Sequence, residues 1–240
     1  MTNKAAWLSG AKVKPFMIDD APMPVPKANE VVIKNRAVAI NPVDWAMQAF
    51  DFISLPYPYI EGCDVAGEIT AVGSAVKDFK TGDRVIAVMV AFVTHNVSNA
   101  AFQLFSLVGD NSIAKIPDNI SYAEASVLPL AISTAASALF QDNNLALPLP
   151  QINPKPTGNV VLVWGGSSSV GACAIQLVVA AGLDVATTAS GHNLEYCKSL
   201  GAKYVFDHAK ESVVEDITAA LDGVDFSGAF CAIMVCFFFL

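Results

Sequence analysis

The second half of the chain contains a run of small residues with the composition of a phosphate-binding turn. It follows an apolar stretch, 160–164, and precedes a helical pattern over 172–181. Small side chains would let an anion approach the backbone N–H groups of the turn and the positive N-terminal end of the helix. The turn consists of Gly165, Gly166, Ser167, Ser168, Ser169, Val170 and Gly171. These residues predict a dinucleotide-binding site.

One position of this turn departs from the usual G-x-G-x-x-G pattern. Aligned on its last glycine, the turn reads Gly166-x-Ser168-x-x-Gly171, with serine where the pyrophosphate approaches most closely. A serine hydroxyl can donate to a phosphate, but the motif alone has low specificity, and a purely structural strand-to-helix turn is the alternative. The nucleophile elbow of serine hydrolases is a rival, although it requires G-x-S-x-G and no serine here has glycine two positions away on both sides.

The end of the next predicted strand indicates which dinucleotide would bind. NAD enzymes place an acidic residue there to hold the ribose hydroxyls, but residues 187–193 contain none. A carboxylate would repel a 2′-phosphate, whereas Ser190, His192 and Lys198 could bind one, and Asn193 completes the candidate set. NADPH is therefore the expected cofactor. The alternative is that Ser190 and Asn193 only cap the following helix.

The composition excludes several classes of function. Of the 240 residues, 54% are hydrophobic, so the chain can bury a core in one or two domains. It has 22 acidic and 14 basic residues, and this net charge of −8 argues against nucleic acid or an anionic membrane as a partner. The five cysteines form no C-x-x-C pair, and no signal peptide is visible, so we expect reduced thiols and a cytoplasmic location.

The elements that must position the candidate residues fall into three segments. Short apolar or alternating runs, separated by Pro and Gly up to about Pro117, predict a compact barrel-like β domain. The sequence 121–124 has the pattern of a capping box and predicts a helical region that continues to Phe140. Four prolines in 141–159 then exclude a continuous helix or central strand, which indicates a linker or surface insertion.

From Val160 onward, strand and helix patterns alternate. Such alternation predicts parallel βαβ units and a Rossmann-like sheet with helices on both faces, so the expected fold class is α/β. The expected organisation is a β-barrel domain at 1–126, a bridging helix and Pro-rich linker at 127–158, and a partial Rossmann domain at 159–240.

The end of the sequence is unusual for such a sheet. Residues 228–233 predict a fourth strand, whereas a doubly wound dinucleotide fold has about six. The apolar run 234–240 has no turn or polar cap and is far shorter than the roughly 20 residues of a membrane span. We therefore expect a C-terminally truncated chain, whose exposed apolar sheet edge would favour aggregation and leaves oligomer formation in doubt.

Several short motifs recur in a fixed order over nearly the whole chain. They are INPVDW at 40–45, GCDVAGEI at 62–69, GDRV at 82–85, AFQ at 101–103, KIP at 115–117, ASVLPL at 125–130, the glycine turn, and LGA at 200–202. Together they resemble the medium-chain dehydrogenase/reductase superfamily. The Pro-rich insertion and the sequence 164–169 resemble its zinc-independent quinone reductase and enoyl reductase branch, particularly fungal proteins labelled zinc-binding oxidoreductases or trans-acting enoyl reductases.

This resemblance implies an N-terminal GroES-like barrel, a Rossmann domain and NADPH bound between them. It implies that Thr134 contacts the nicotinamide carboxamide and that Asn41 and Asp44 lie in a loop lining the cleft, so these three are the candidate catalytic residues. Asp44 could equally be a structural turn residue. Many relatives carry Lys after Asp-Trp where this chain has Ala46, which removes a possible donor to the substrate.

The resemblance also bears on metal binding. In zinc-dependent relatives a Cys occupies the position of Asn41, and a His-Glu pair occupies that of Cys63 and Asp64. Zinc needs several converging Cys, His or carboxylate ligands. The chain has no four-cysteine lobe and its histidines have no ligand spacing, so no metal is expected.

The expected function is hydride transfer from NADPH to an activated C=C bond or a quinone. The substrate would be a small enoyl or quinone-type molecule, and the resemblance implies a polyketide synthase as a possible partner. One alternative is a catalytically inactive, truncated remnant of such an enzyme. A serine hydrolase is the weaker alternative.

Overall fold

The computed structural model describes residues 2–233, which form two units that divide between Leu130 and Ala131. Residues 2–130 are called the first unit and residues 131–233 the second unit. The expectations for Met234–Leu240 lie outside the described residues.

The first unit is built mainly from antiparallel strands. A five-stranded sheet has the order β7-β3-β5-β6-β8, and a three-stranded sheet has the order β2-β1-β4. Residues 102–104 join the two sheets, since Leu104 N donates to Lys4 O and Asn35 N donates to Leu104 O, both at 2.9 Å. The predicted β domain is confirmed. Its strands are β1 Asn3–Leu8, β2 Met17–Ala21, β3 Glu30–Ala39, β4 Tyr59–Ile60, β5 Asp64–Val72, β6 Arg84–Val88, β7 Phe105–Gly109 and β8 Ile113–Lys115.

Strand β3 connects the core of the first unit to the first helix. Its residues Val31 and Ile33 are fully buried and pack with Val65, Ile69 and other apolar side chains of the sheet. Each such side chain contributes about 1.5–3 kcal/mol through burial. After β3 the chain forms helix α1, Pro42–Phe50. Its first residue is proline, which is favoured at the first position of a helix. A short helix α2, Ala91–Thr94, follows β6.

The helical region predicted from Ser121 to Phe140 consists of two helices, α3 Tyr122–Ala125 and α4 Pro129–Phe140. The capping box is confirmed: Ser121 Oγ accepts from Glu124 N at 3.2 Å, and Glu124 Oε2 accepts from Ser121 N at 2.9 Å. The two helices are separate because Pro129 lacks an N–H group and disfavours helical geometry in the residue before it. The Pro-rich stretch 141–159 contains no helix or strand, as predicted.

The second unit contains a parallel sheet of the order β11-β10-β9-β12, with helices between its strands. The α/β architecture predicted from the alternating pattern is confirmed. The core of this sheet includes Val161 and Val163 of β9 and Ile175 and Val178 of the following helix. The elements are β9 Val160–Trp164, α5 Ser169–Ala180, β10 Asp184–Ala189, α6 Leu194–Ser199, β11 Tyr204–Asp207, α7 Val213–Ala220 and β12 Phe226–Cys231.

One helical stretch, Tyr122–Phe140, has the length and apolarity of a membrane span among the described residues. It is interrupted between α3 and α4. Within the second unit, Ala131, Ala135 and Leu139 of α4 are buried in the core of the sheet. These contacts are those of a core helix.

Candidate functional site

The glycine turn lies at the carboxyl end of β9, where it leads into α5. Gly165 has a φ of +86°, which favours glycine, and a Cβ there would lie 2.7 Å from Ile233 Cγ2. A Cβ on Gly166 would collide with Thr187 Oγ1, and one on Gly171 with the carbonyl oxygen of Gly165. The turn therefore requires glycine at all three positions to keep its shape.

The hydroxyl of Ser168 is used within the turn. It accepts from Gly171 N at 3.0 Å and donates to Gly165 O at 2.8 Å, so Ser168 is the N-cap of α5. This hydroxyl closes the turn, and donation from it to a phosphate stays a prediction. The cap also explains why α5 begins at Ser169, three residues before the helix start predicted from the sequence.

The backbone amides of the turn divide into two groups. Gly165 N donates to Thr188 Oγ1 at 3.0 Å and Gly166 N donates to Thr188 O at 2.9 Å, so these two fix the turn to β10. The N–H groups of Ser167, Ser169 and Val170 have no acceptor among the described residues. Ser169 and Val170 are the first residues of α5, where the helix dipole is positive. This arrangement fits the phosphates of a dinucleotide.

Strand β10 ends beside β11, and the residues that follow the two strands bring Ser190 and His208 together. Ser190 Oγ lies 3.3 Å from Nε2 of His208, the residue after β11. Neither Ser190 nor Asn193 makes a side-chain capping bond, so the capping alternative is not what the structure shows. Sequence reasoning missed His208, although the parallel register that pairs Ala189 with Asp207 would have placed it here.

The same register introduces an acidic residue that sequence reasoning also missed. A Cβ on Gly191 would lie 2.9 Å from Asp207 Oδ2. The other carboxylate oxygen, Oδ1, accepts from Ala209 N at 3.0 Å. A carboxylate therefore lies next to the expected position of the 2′-phosphate, contributed by the neighbouring strand rather than by β10.

Two other candidate residues near the end of β10 have different surroundings. His192 is exposed within the 3₁₀ turn that follows β10. Lys198 is exposed on α6, and its Nζ lies 2.7 Å from Glu195 Oε1. Lys198 is therefore already paired with a carboxylate, which weakens its suitability as a phosphate ligand.

Thr134 lies in the second unit, on α4. Its neighbours at 131 and 135 point into the core, whereas the Thr134 side chain is exposed. The candidate role of Thr134 remains a prediction.

Asn41 and Asp44 lie together at the start of α1 in the first unit. Asp44 Oδ2 accepts from Asn41 N at 2.7 Å, and Asp44 N donates to Asn41 O at 3.1 Å. The Asn41 side chain donates to Asp64 Oδ2 at 2.8 Å, and Asp64 Oδ1 accepts from Leu130 N at 2.7 Å. Asp44 thus has a clear structural role in closing the helix start, and Asn41 is oriented by Asp64.

The acidic groups near Asn41 are buried, and burial changes their protonation. Burial raises the pKa of Asp44 to about 6, while the hydrogen bond from Asn41 N and the Cys63 thiol act in the opposite direction. Burial also raises the pKa of Asp64, against the hydrogen bonds from Asn41 and Leu130. Glu61, which the sequence reasoning did not single out, belongs to the same area: burial and then the charge of Asp44 raise its pKa, and its own charge adds to the effect of burial on the pKa of Cys63.

A zinc ion would need several converging Cys, His or carboxylate ligands, with each cysteine as the thiolate. Asn41 already donates its amide N–H to Asp64. Within residues 2–233, no group of three or more His, Cys, Asp or Glu side chains is arranged to hold a metal ion.

Comparisons with known proteins match both units. The model for the alcohol dehydrogenase GroES-like domain matches residues 27–130, and the model for zinc-binding dehydrogenases matches residues 169–234. The chain is 46% identical to trans-enoyl reductase himH of Aspergillus japonicus over 94% of its length and 66% of that relative. It is 40% identical to dehydrogenase orsE of Emericella nidulans, covering 97% of this chain and 71% of that relative.

The fold is also similar to that of a solved structure, the quinone oxidoreductase from Coxiella burnetii. The TM-score is 0.67 at 28% identity, covering 90% of this chain and 65% of that one. The chain thus spans about two thirds of the length of the proteins that it matches. Its GroES-like first unit, its parallel second unit and these similarities show that the chain belongs to the medium-chain dehydrogenase/reductase superfamily of oxidoreductases.

Proposed function

We propose that this chain binds NADPH on the turn 165–171 and transfers hydride from it to an activated C=C bond or a quinone. The observation that carries the proposal is the turn itself. Three glycines are required by close contacts, and three backbone N–H groups at a helix start have no acceptor in the described protein. Such a set of donors is suited to the pyrophosphate of a dinucleotide.

The preference for NADPH over NADH rests on the end of β10. No acidic residue occurs in 187–193, and Ser190 and His208 lie close enough to bind one phosphate together. The nearby Asp207 opposes this preference, but one of its oxygens is occupied by Ala209 N. His192 is exposed next to Ser190 and can add a further donor.

The nicotinamide would supply the hydride, and the protein would orient the reactants and exclude water. In the proposed assignment Thr134 binds the carboxamide, and Asn41 contributes to the substrate-binding surface. Asp44 contributes by fixing the start of α1. The substrate class, enoyl or quinone, is proposed from the names of two relatives, a trans-enoyl reductase and a quinone oxidoreductase. A polyketide synthase partner is proposed from the resemblance of the sequence motifs, and a cytoplasmic location from the sequence itself.

The proposal predicts enzymatic activity of the purified chain. NADPH oxidation should depend on the addition of an enoyl thioester or a quinone, and it can be followed by the loss of nicotinamide absorbance. A folded chain that binds NADPH but reduces neither substrate would contradict the assigned reaction. A folded chain that binds no cofactor would instead support the inactive alternative, and labelling by a fluorophosphonate would support the hydrolase.

The cofactor end of the site can be tested separately by kinetics. Ser190→Ala and His208→Ala should each raise the KM for NADPH roughly tenfold, because a hydrogen bond to a charged group contributes about 1.5 kcal/mol or more. The KM for NADH should change little, since NADH lacks the 2′-phosphate. Ser199→Ala is the matched control, because the Ser199 hydroxyl is bonded within α6 to Tyr196 O. Equal effects on both cofactors would exclude the proposed phosphate site.

A further inference from the structure

Glu61 has a buried carboxyl group that finds no hydrogen-bond partner within residues 2–233. It follows β4 in the first unit and is only 1% exposed. Both of its carboxylate oxygens, Oε1 and Oε2, are without partners among the described residues. A buried ionised carboxylate without a partner is among the most costly groups in a folded protein, and such a group normally takes up a proton instead.

The groups around Glu61 add to this cost. Asp44 of α1 is the carboxyl whose charge acts on it, and one oxygen of Asp44 is also buried without a partner. Tyr57, Tyr59 and Cys63 are its neighbours in sequence. Burial is the largest cause that raises the pKa of each of them, and a charge on Glu61 adds to that effect. Asp64 lies beyond Cys63. No described lysine, arginine or histidine forms an ion pair with Glu61.

The backbone around Glu61 is held on both sides by hydrogen bonds. Glu61 O accepts from Phe102 N at 2.9 Å, and Gly62 O accepts from Ala101 N at 3.0 Å. Gly62 has a φ of +99°, and a Cβ there would lie 2.5 Å from the Phe102 ring. Cys63 O accepts from Met89 N at 2.7 Å. Exposing the carboxyl therefore requires this corner of the unit to open.

We propose that Glu61 is a proton-operated switch in the fold of the first unit. In the folded unit Glu61 is an uncharged acid, and loss of its proton destabilises the corner that carries Cys63 and Asp64. Folding of the unit is thus coupled to the uptake of one proton near neutral pH. Because Asp64 orients Asn41, opening of the corner would also release the Asn41 side chain.

The direction of the pH effect follows from the protonation of the two carboxyls. Burial, and then the charge of Asp44, raises the pKa of Glu61 from 4.5 to about 8. A carboxyl with a raised pKa contributes most to stability below its unfolded pKa, and this contribution is lost as pH rises to the folded pKa. The Asp44 carboxyl also loses its contribution to stability as pH rises, but this loss is complete near its folded-state pKa of about 6. Between about pH 6.5 and 7.5, Glu61 is therefore the carboxyl that contributes most to the pH dependence of the stability of the first unit.

The test is urea unfolding of the full chain at several pH values in this window. Fluorescence of Trp7 and Trp45 reports on the first unit in a Trp164→Phe background, because Trp164 is in the second unit. The unfolding equilibrium constant should rise close to tenfold per pH unit, and Glu61→Gln should remove most of that slope. Glu68→Gln is the control, since Glu68 is partly exposed and paired with Arg36 at 3.2 Å.

A second measurement does not depend on the folding of a variant. Unfolding of the otherwise unchanged chain at pH 7 in a weakly buffered solution should release about one proton, detectable with a pH indicator. A slope that persists in Glu61→Gln would overturn the proposal. Unfolding without proton release would overturn it as well.

Discussion

Gly171 is the residue at which the glycine turn is least tolerant of change. In Gly171→Ala, the new Cβ would collide with the carbonyl oxygen of Gly165, and the nearby Gly166 Cα would lie 2.8 Å away. Overpacking of this kind costs about 1–3 kcal/mol. We expect the displaced turn to weaken NADPH binding at least about tenfold, as measured by fluorescence titration.

Gly10→Ala is the matched control for this change. A Cβ on Gly10 would meet only Val13 Cγ2, at an ordinary contact distance of 3.5 Å. The control should bind NADPH as the unchanged chain does. Normal binding by Gly171→Ala would mean that the turn is not the cofactor site.

Single residues also mark the limit of what the sequence could reveal. The glycine turn and the lack of an acid after β10 were readable because each lies in one continuous stretch. The pairing of Ser190 with His208 was not, since the two residues are 18 positions apart and meet only through the strand register. The role of Glu61 was hidden for a different reason, because burial without a partner has no sequence pattern.

At the scale of elements, the start of α5 depends on a single hydroxyl. Removal of the cap in Ser168→Ala should lower the free energy of unfolding of the second unit by about 1 kcal/mol. Thermal or urea unfolding in a Trp7→Phe, Trp45→Phe background, in which Trp164 is the remaining tryptophan, would measure this change by fluorescence. Ser168→Gly should cost only a few tenths of a kcal/mol from the lost cap, because glycine is itself an acceptable N-cap residue. Equal stability of Ser168→Ala and the unchanged chain would contradict the assigned cap.

Element types were more predictable than element boundaries. The alternation from Val160 onward fixed the parallel sheet because strand and helix patterns differ clearly in period. The helical region from Ser121 to Phe140 was predicted without its internal division, although Pro129 indicates where α4 begins. The earlier start of α5 required knowing that the serine in the turn acts as a cap.

At the scale of the whole molecule, the two units contain different functional residues. The first unit contains Asn41, Asp44 and the proton-binding Glu61, and the second contains the turn that we propose as the cofactor site. Separate readouts are available, because Trp7 and Trp45 belong to the first unit and Trp164 to the second. Loss of the pH-dependent step in the first unit would therefore leave the cofactor proposal untouched.

Titration of the purified chain with NADPH, followed by nicotinamide fluorescence, tests the central claim most directly. We predict saturable binding, with NADH binding at least about tenfold more weakly because it lacks the 2′-phosphate. The folded state of the sample should be verified by the fluorescence of both units. Equal or tighter binding of NADH would contradict the assigned phosphate site, and no binding by the folded chain at hundreds of micromolar NADPH would contradict the proposed function.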